Sequence, residues 1–196
     1  CWKNYLCPNI SPKNKPTSGI TRTITTKDSF LISTNNDVKY TRKGGKDAWP
    51  SYKYFNIWVC NMDDGSGVGT VLGFAYPPAS APNWPAGSAG TLETDGVAVH
   101  YPVFGGTANP ALTPALAATV GEGRTCVHEV GHYLGLRHIW GDGDCTQDDG
   151  IADTPNSDSA SQQECNYSKN SCMDTPVNFP DMIENYMDYS DEDCMN

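Results

Sequence analysis

The chain has 196 residues, a formal charge of −10, 19 glycines, 14 prolines and only 18% charged residues. That length buries a real core in one domain and that composition makes it loop-rich, so a bare peptide or linker is excluded. The charge is uneven: residues 1–60 hold ten Lys/Arg and three Asp/Glu, residues 61–138 two and six, and residues 139–196 one and fourteen. Such an acidic C-terminal block repels nucleic acid and anionic membranes and attracts hard cations and basic substrates, so neither nucleic acid nor membrane is expected as a partner.

No stretch approaches the ~18 apolar residues of a membrane span, and the first residues lack the apolar core of a signal peptide, so the chain reads as already processed. Eight cysteines are more than a cytosolic enzyme carries and point to a secreted, extracytoplasmic home. Asn9 and Asn166 begin tripeptides of the N-glycosylation pattern.

In chain order, residues 1–50 are polar, with turn clusters at 12–19 and 44–45 and a Thr-rich stretch, Ile20 to Thr26, that reads as a candidate strand. Phe55 to Val59, Val71 to Tyr76 and Val97 to Phe104 are rich in aromatic and branched residues and bounded by Gly, Pro or Asp, which predicts three strands. Residues 77–90 and 105–114 read as loops. From Gly121 to Leu134 the spacing turns helical, with Val127, Val130 and Leu134 on one flank, Glu122 near the positive end of the dipole, and Gly135 placed for a left-handed stop. Beyond His138 nothing looks regular. The expected division is therefore an α/β part over 1–138, ending in this helix, and an irregular part over 139–196.

The chemistry concentrates in His128-Glu129-Val130-Gly131-His132-Tyr133-Leu134-Gly135-Leu136-Arg137-His138. Histidines at i and i+4 project from one helix face and can reach one ion, and Glu129 beside them can reach its bound water. Gly135 lets the chain reverse so that His138 returns as third ligand. Three protein nitrogens leave a fourth position for water, which marks a catalytic zinc site, since a structural one is closed by four protein ligands. His-Glu-x-x-His alone occurs by chance in about one in a few hundred chains of this length, and the added Gly and His lower that roughly a thousandfold. The remaining histidine, His100, is expected to be structural or on the cleft rim. Cys126 lies about 200° round the helix from His128 and faces away from the metal.

This motif resembles the signature of the metzincin zinc proteases, and Asn185-Tyr186-Met187-Asp188-Tyr189 resembles their Met-turn. Asp153-Thr154-Pro155, the spacing of Cys145, Cys165, Cys172 and Cys194, and the Cys shortly after the Met-turn are similar to the pappalysin family. The resemblance covers about residues 50–194 and implies a metzincin-like α/β (α+β) fold: a mixed, mostly parallel sheet with backing and active-site helices above a cleft, and an irregular disulfide-stapled lobe below. Family members also carry an opening strand and a long backing helix ahead of the region matching residue 1, and a segment beyond Cys194. Neither is recognisable, so the chain is expected to be a fragment or to have diverged at its N-terminus.

The resemblance further implies that Glu129 acts as general base and then acid, that Met187 floors the zinc, and that Tyr189 stands near the metal to stabilise an oxyanion, with core packing the alternative for Tyr189. It implies disulfides Cys145–Cys172 and Cys165–Cys194, free thiols being the alternative, and leaves Cys1, Cys7, Cys60 and Cys126 unpaired from sequence. The loop Asp148, Asp149, Asp153, Thr154 offers hard oxygens suited to structural Ca²⁺, as in the family, or is simply a solvated acidic loop. Asp193, beside Cys194, is similarly linked to a preference for Arg or Lys after the scissile bond, or belongs to an exposed chain end. The reading is a secreted zinc endopeptidase acting on protein or peptide substrates, with Val71 to Tyr76 as the edge strand that aligns them. Its rival is a zinc-containing binding or adhesion module without turnover.

Overall fold

A computed structural model of the chain describes residues 18–32, 36–65 and 71–195. Cys1, Cys7, Asn9 and positions 12–17 of the first turn cluster lie outside the described residues.

Three strands form the main sheet. β2 (Ile57–Cys60) runs parallel to β5 (Val97–His100), with Ile57 opposite Val97 and Cys60 opposite His100. β4 (Gly73–Ala75) pairs antiparallel with the other side of β5, Gly73 opposite Val99, so the order is β2-β5-β4 and β4 is an edge. A short parallel pair, β1 (Phe30–Leu31) and β3 (Met62–Asp63), stands apart. Two of the three pairings are parallel.

The central strand is buried throughout because both of its faces are covered. Val97 and Val99 point into one cluster with Val103 and Val120, while Ala98 points into the other with Phe30, Val38, Trp58, Cys60 and Met62. The strand stops at His100 rather than Phe104: Tyr101–Val103 turns into a 3₁₀ segment at Pro102, which cannot donate to a ladder. Ile20 to Thr26 forms no strand. Its side chains stay largely at the surface, and Ile24 is 88% exposed.

Two α-helices occur among the described residues. α1 (Pro114–Val120) begins inside the region read as loop. Its start is ordinary, with Thr113 accepting the Leu116 amide at 3.3 Å and Pro114 in the first turn. α2 (Thr125–Tyr133) packs on β4 and β5 and starts four residues later than the spacing suggests. Of the flank Val127, Val130 and Leu134, only Val130 joins the core, and the other two are exposed. Glu122 is exposed ahead of the helix. The carboxylate that serves this N-terminus is Glu192, which accepts the amides of Glu122 (2.8 Å) and Thr125 (2.9 Å) and the Thr125 hydroxyl (3.1 Å).

Past His138 the only regular piece among the described residues is a 3₁₀ turn, Glu192–Cys194. Two interleaved disulfides, Cys145–Cys172 and Cys165–Cys194, join positions 27 and 29 residues apart. Buried carboxylates act as nodes. Asp181 accepts Ser157 Oγ, Ser171 N and Ser171 Oγ at 2.7–3.1 Å, and Asp188 accepts Ser161 N at 3.0 Å and Ser190 Oγ at 3.2 Å.

Candidate active site

His128 and His132 lie one turn apart on α2, both buried, on the helix face toward the C-terminal segment. The helix then ends in a Schellman turn: Leu136 N–H donates to Gly131 O and Gly135 N–H to His132 O, both at 2.9 Å, with Gly135 at φ 102°. That reversal brings His138 back. The ligand atoms of His128, His132 and His138 all lie within 4.8 Å of one another, the only such group of His, Cys, Asp or Glu among the described residues.

The proton positions follow from the partners. His128 Nδ1 donates to Tyr186 O (2.6 Å), His132 Nδ1 to Leu136 O (2.9 Å), and His138 Nδ1 to the Asp142 carboxylate. Burial holds His128 and His132 neutral, with pKa values pushed down to about 3 and about 4. Nε2 of His132 and Nε2 of His138, the ring nitrogens that these acceptors leave over, face each other at 3.0 Å. Two imidazole nitrogens that close share a proton or a metal cation. Tetrahedral zinc with bonds of ~2.0–2.1 Å sets its nitrogens roughly 3.3 Å apart, so the residues fit a zinc ion.

Glu129 points to the other side of this group, against β4. A Cβ at Gly73 would come within 2.6 Å of its carboxylate, so glycine is what lets the strand pass. Its Oε2 is buried without a hydrogen-bond partner, and burial pushes the carboxyl up to about 8 against the pull of Lys39. Met187 lies beneath the helix: a Cβ at Gly131 would meet its Sδ at 2.3 Å. Tyr189 stands with its ring 4.9 Å from that of His138 and 5.4 Å from that of His128. Burial raises its pKa to about 12, which keeps its O–H a donor.

Beside Glu129 opens a cavity of about 300 Å³ walled by β4, α2 and residues 188–195. Asp193 does not line it. That side chain is exposed in the 3₁₀ turn, and the carboxylates facing the cavity are Asp188 and Glu192, with Arg124 beside them. In the acidic loop, Asp148 and Asp153 are exposed and Thr154 half-buried, while the buried Asp149 carboxylate accepts Ile151 N (2.8 Å). These carboxylates are not gathered round one point as the histidines are. His100 is structural: its Nδ1 accepts the Met62 amide (3.0 Å) in the core. Cys126 packs into the core near Val97 and Val99, away from the histidines.

Sequence reasoning missed Lys39, Trp140, Asp142 and Glu192. Lys39 is fully buried, its ammonium 4.8–4.9 Å from the ring centres of Trp58, Phe74 and Tyr76 and bonded to the carbonyls of Thr94 (2.6 Å) and Gly96 (3.1 Å). Its partners are dispersed over the chain, and no spacing announces them. Asp142, four residues beyond His138, was within reach of a search for a carboxylate behind each ligand.

The sheet with its antiparallel edge, the three-histidine site and the methionine beneath it define a metzincin-type metal centre. The chain belongs to the pappalysin peptidases: the family model described as pregnancy-associated plasma protein-A matches residues 37–196. An extracellular metalloprotease of Arthroderma otae is 38% identical over 159 residues, covering 79% of this chain and 47% of that protein. One from Pyricularia oryzae is 35% identical over 144 residues, covering 74% and 44%. Among solved structures, Tannerella forsythia mature mirolysin in complex with a cleaved peptide superposes with a TM-score of 0.73 at 39% identity, covering 93% of this chain and 61% of that one. The chain spans about half the length of the curated relatives it matches.

Proposed function

We propose that this chain carries the catalytic machinery of a secreted zinc endopeptidase. The observation that carries the reading is the convergence of three imidazoles, their ligand atoms within 4.8 Å of one another, beside a buried, unpartnered Glu129 oxygen. A zinc ion held by His128, His132 and His138 would supply Lewis acidity for the scissile carbonyl and for the attacking water. Glu129 takes the proton from that water and passes it to the leaving amine, and its buried site keeps its proton affinity high enough for both tasks. Tyr189 offers its O–H to the developing oxyanion. β4, the sheet edge beside Glu129, aligns the substrate backbone by strand pairing. Names of the relatives, two disulfides and the lack, among the described residues, of any helix long and apolar enough to cross a membrane support secretion.

Digestion of casein with and without a chelator, on wild type and Glu129→Ala, tests this. The variant retains zinc and loses cleavage by at least about 10³-fold, in line with removing the acid–base group. Undiminished proteolysis in the variant refutes the mechanism.

Two finer readings belong here. A basic side chain following the scissile bond enters the cavity beside Glu129 and meets Asp188 and Glu192, which also accept hydrogen bonds from Ser161, Ser190 and the start of α2 and offer it their remaining lone pairs. A cleavage profile from a peptide library showing Leu or Phe there, with no basic enrichment, refutes that preference. Calcium on Asp148, Asp149, Asp153 and Thr154 would raise the melting temperature when added, because it binds the native state alone. An unchanged melting curve returns the loop to solvent.

A further inference from the structure

Two of the three histidines are fixed by backbone, and the third is not. His128 and His132 stand on α2, and their Nδ1 protons go to the carbonyls of Tyr186 and Leu136. His138 stands beyond the Schellman turn, outside any helix or strand, so the direction of its Nε2 must be set by side chains. Three do so. Trp140 stacks on its ring at 4.2 Å with 6° between planes, Tyr189 meets it edge-on at 4.9 Å, and Asp142 accepts its Nδ1 proton. Stacking fixes the plane of the ring but not its rotation within that plane. The hydrogen bond to Asp142 fixes that from behind the ring, opposite the nitrogen that meets His132.

Asp142 is itself held in place. It sits at φ 59°, a left-handed conformation that Asp and Asn tolerate better than other side chains. The Arg137 guanidinium lies 3.4 Å from its Oδ2 and also donates to Gly141 O and, at 3.2 Å, to Asp148 O. Arg137, Asp142 and His138 thus form one chain from the acidic loop to the metal site.

We propose that Asp142 is the positioning residue of the third metal ligand: its carboxylate aims His138 Nε2 at the point where the other two imidazoles converge, and strengthens that nitrogen as a donor. A carboxylate differs from the carbonyls behind His128 and His132 in carrying full negative charge, which stabilises positive charge developing on a metal-bound imidazole. The inference rests on the zinc reading of the site. Its reach is metal affinity, before any chemistry.

The test titrates the metal-free full chain with zinc against a chromophoric chelator, for wild type, Asp142→Asn and Asp142→Ala. Asn keeps an acceptor and suits a left-handed position, so it removes the charge alone, whereas Ala removes the acceptor as well. Zinc binding weakens about 10-fold in Asp142→Asn and about 100-fold in Asp142→Ala. The d–d spectrum of the cobalt-loaded protein shifts in both variants, while the melting temperature of metal-free Asp142→Asn stays at the wild-type value. Wild-type zinc affinity and an unshifted cobalt spectrum in both variants overturn the role of Asp142. Failure of the wild type itself to bind one zinc overturns the zinc reading, and is read in the same titration.

Discussion

The sheet and the segment beneath it are held together by different physics. Above the cleft, β2, β5 and β4 bury Val97, Ala98, Val99 and Trp58 between two apolar clusters, and strand ladders satisfy the backbone. Below it, 139–195 has no strand and only one 3₁₀ turn among the described residues. Its apolar centre is small, chiefly Ile139, Ile183, Met187 and Met195, and the rest is done by cross-links and by Asp181, Asp188 and Glu192 accepting hydrogen bonds in the interior. The acidic composition of this segment is thus partly structural. A carboxylate offers two acceptor oxygens and organises several donors at once, which suits a chain with no ladder of its own. The active site lies between the two constructions: the upper part supplies the three histidines and Glu129, and the lower supplies Tyr186 O, Met187 and Tyr189.

If that contrast holds, removing the cross-links injures the lower segment selectively. In the chain-entropy account, loops of this length are each worth about 3.5 kcal/mol. Cys145→Ser with Cys172→Ser therefore destabilises the folded chain by about that amount, and hydrogen exchange followed by residue rises first over 139–195, while β5 amides stay protected. Equal loss of protection in β5 would show one cooperative unit and end the contrast.

The upper part responds to shape instead. Gly73→Ala places a methyl group where the Glu129 carboxylate now lies, so the side chain must move while the histidines stay. A displacement near 1 Å lowers kcat by about 10²-fold. Zinc content remains at one per chain. Unchanged kcat would mean that Glu129 has room to work elsewhere.

Between them stands the carboxylate of Glu192, which carries the end of the lower segment onto the N-terminus of α2. Glu192→Ala leaves the Glu122 and Thr125 amides and the Thr125 hydroxyl without their acceptor and costs about 2 kcal/mol, read by chemical denaturation. Glu192→Gln keeps one acceptor oxygen and costs less. Equal stability of both variants and wild type would leave the two parts joined by packing alone.

The difference between the parts also explains what the sequence disclosed. The metal motif is local: eleven consecutive residues on one helix and one turn carry three ligands and Glu129, so spacing alone places them. β2, β4 and β5 were visible as short apolar runs because both faces of the sheet are covered. The start of α1 was available in Thr113-Pro114 and its alanines but was obscured by the glycine-rich stretch before it. Ile20 to Thr26 has strand composition but forms no strand, because composition alone does not supply a ladder. The nodes of the lower segment were illegible for a different reason: Glu192 acts on residues 67 and 70 positions away, and Asp181 and Asp188 on serines 2 to 27 away, with no period connecting them.

Lys39 is the exception within the upper part, a charge at the centre of an apolar construction. Its side chain fastens the backbone ahead of β5, through Thr94 O and Gly96 O, to rings on β2 and in the β4 segment, directly behind the edge that faces Glu129. Burial depresses the ammonium to about 7 from 10.5, against the attraction of Asp95 and Glu129. The sign follows from proton counts. Between those two values the unfolded chain binds a proton at Lys39 that the folded chain does not, so this group makes the fold more stable as pH rises through that window, and its full burial cost persists below about pH 7. Glu129 titrates near 8 in the fold and acts in the opposite sense below that, so the clean interval is above it. Denaturant titrations of wild type and Lys39→Met at roughly pH 8.5 and pH 10 should then differ in slope: wild type gains about 1–2 kcal/mol relative to the variant, since each pH unit is worth about 1.4 kcal/mol per proton. Parallel slopes would mean that the three rings and two carbonyls keep the ammonium charged throughout, and that the upper part holds a buried cation as firmly as the lower part holds its carboxylates.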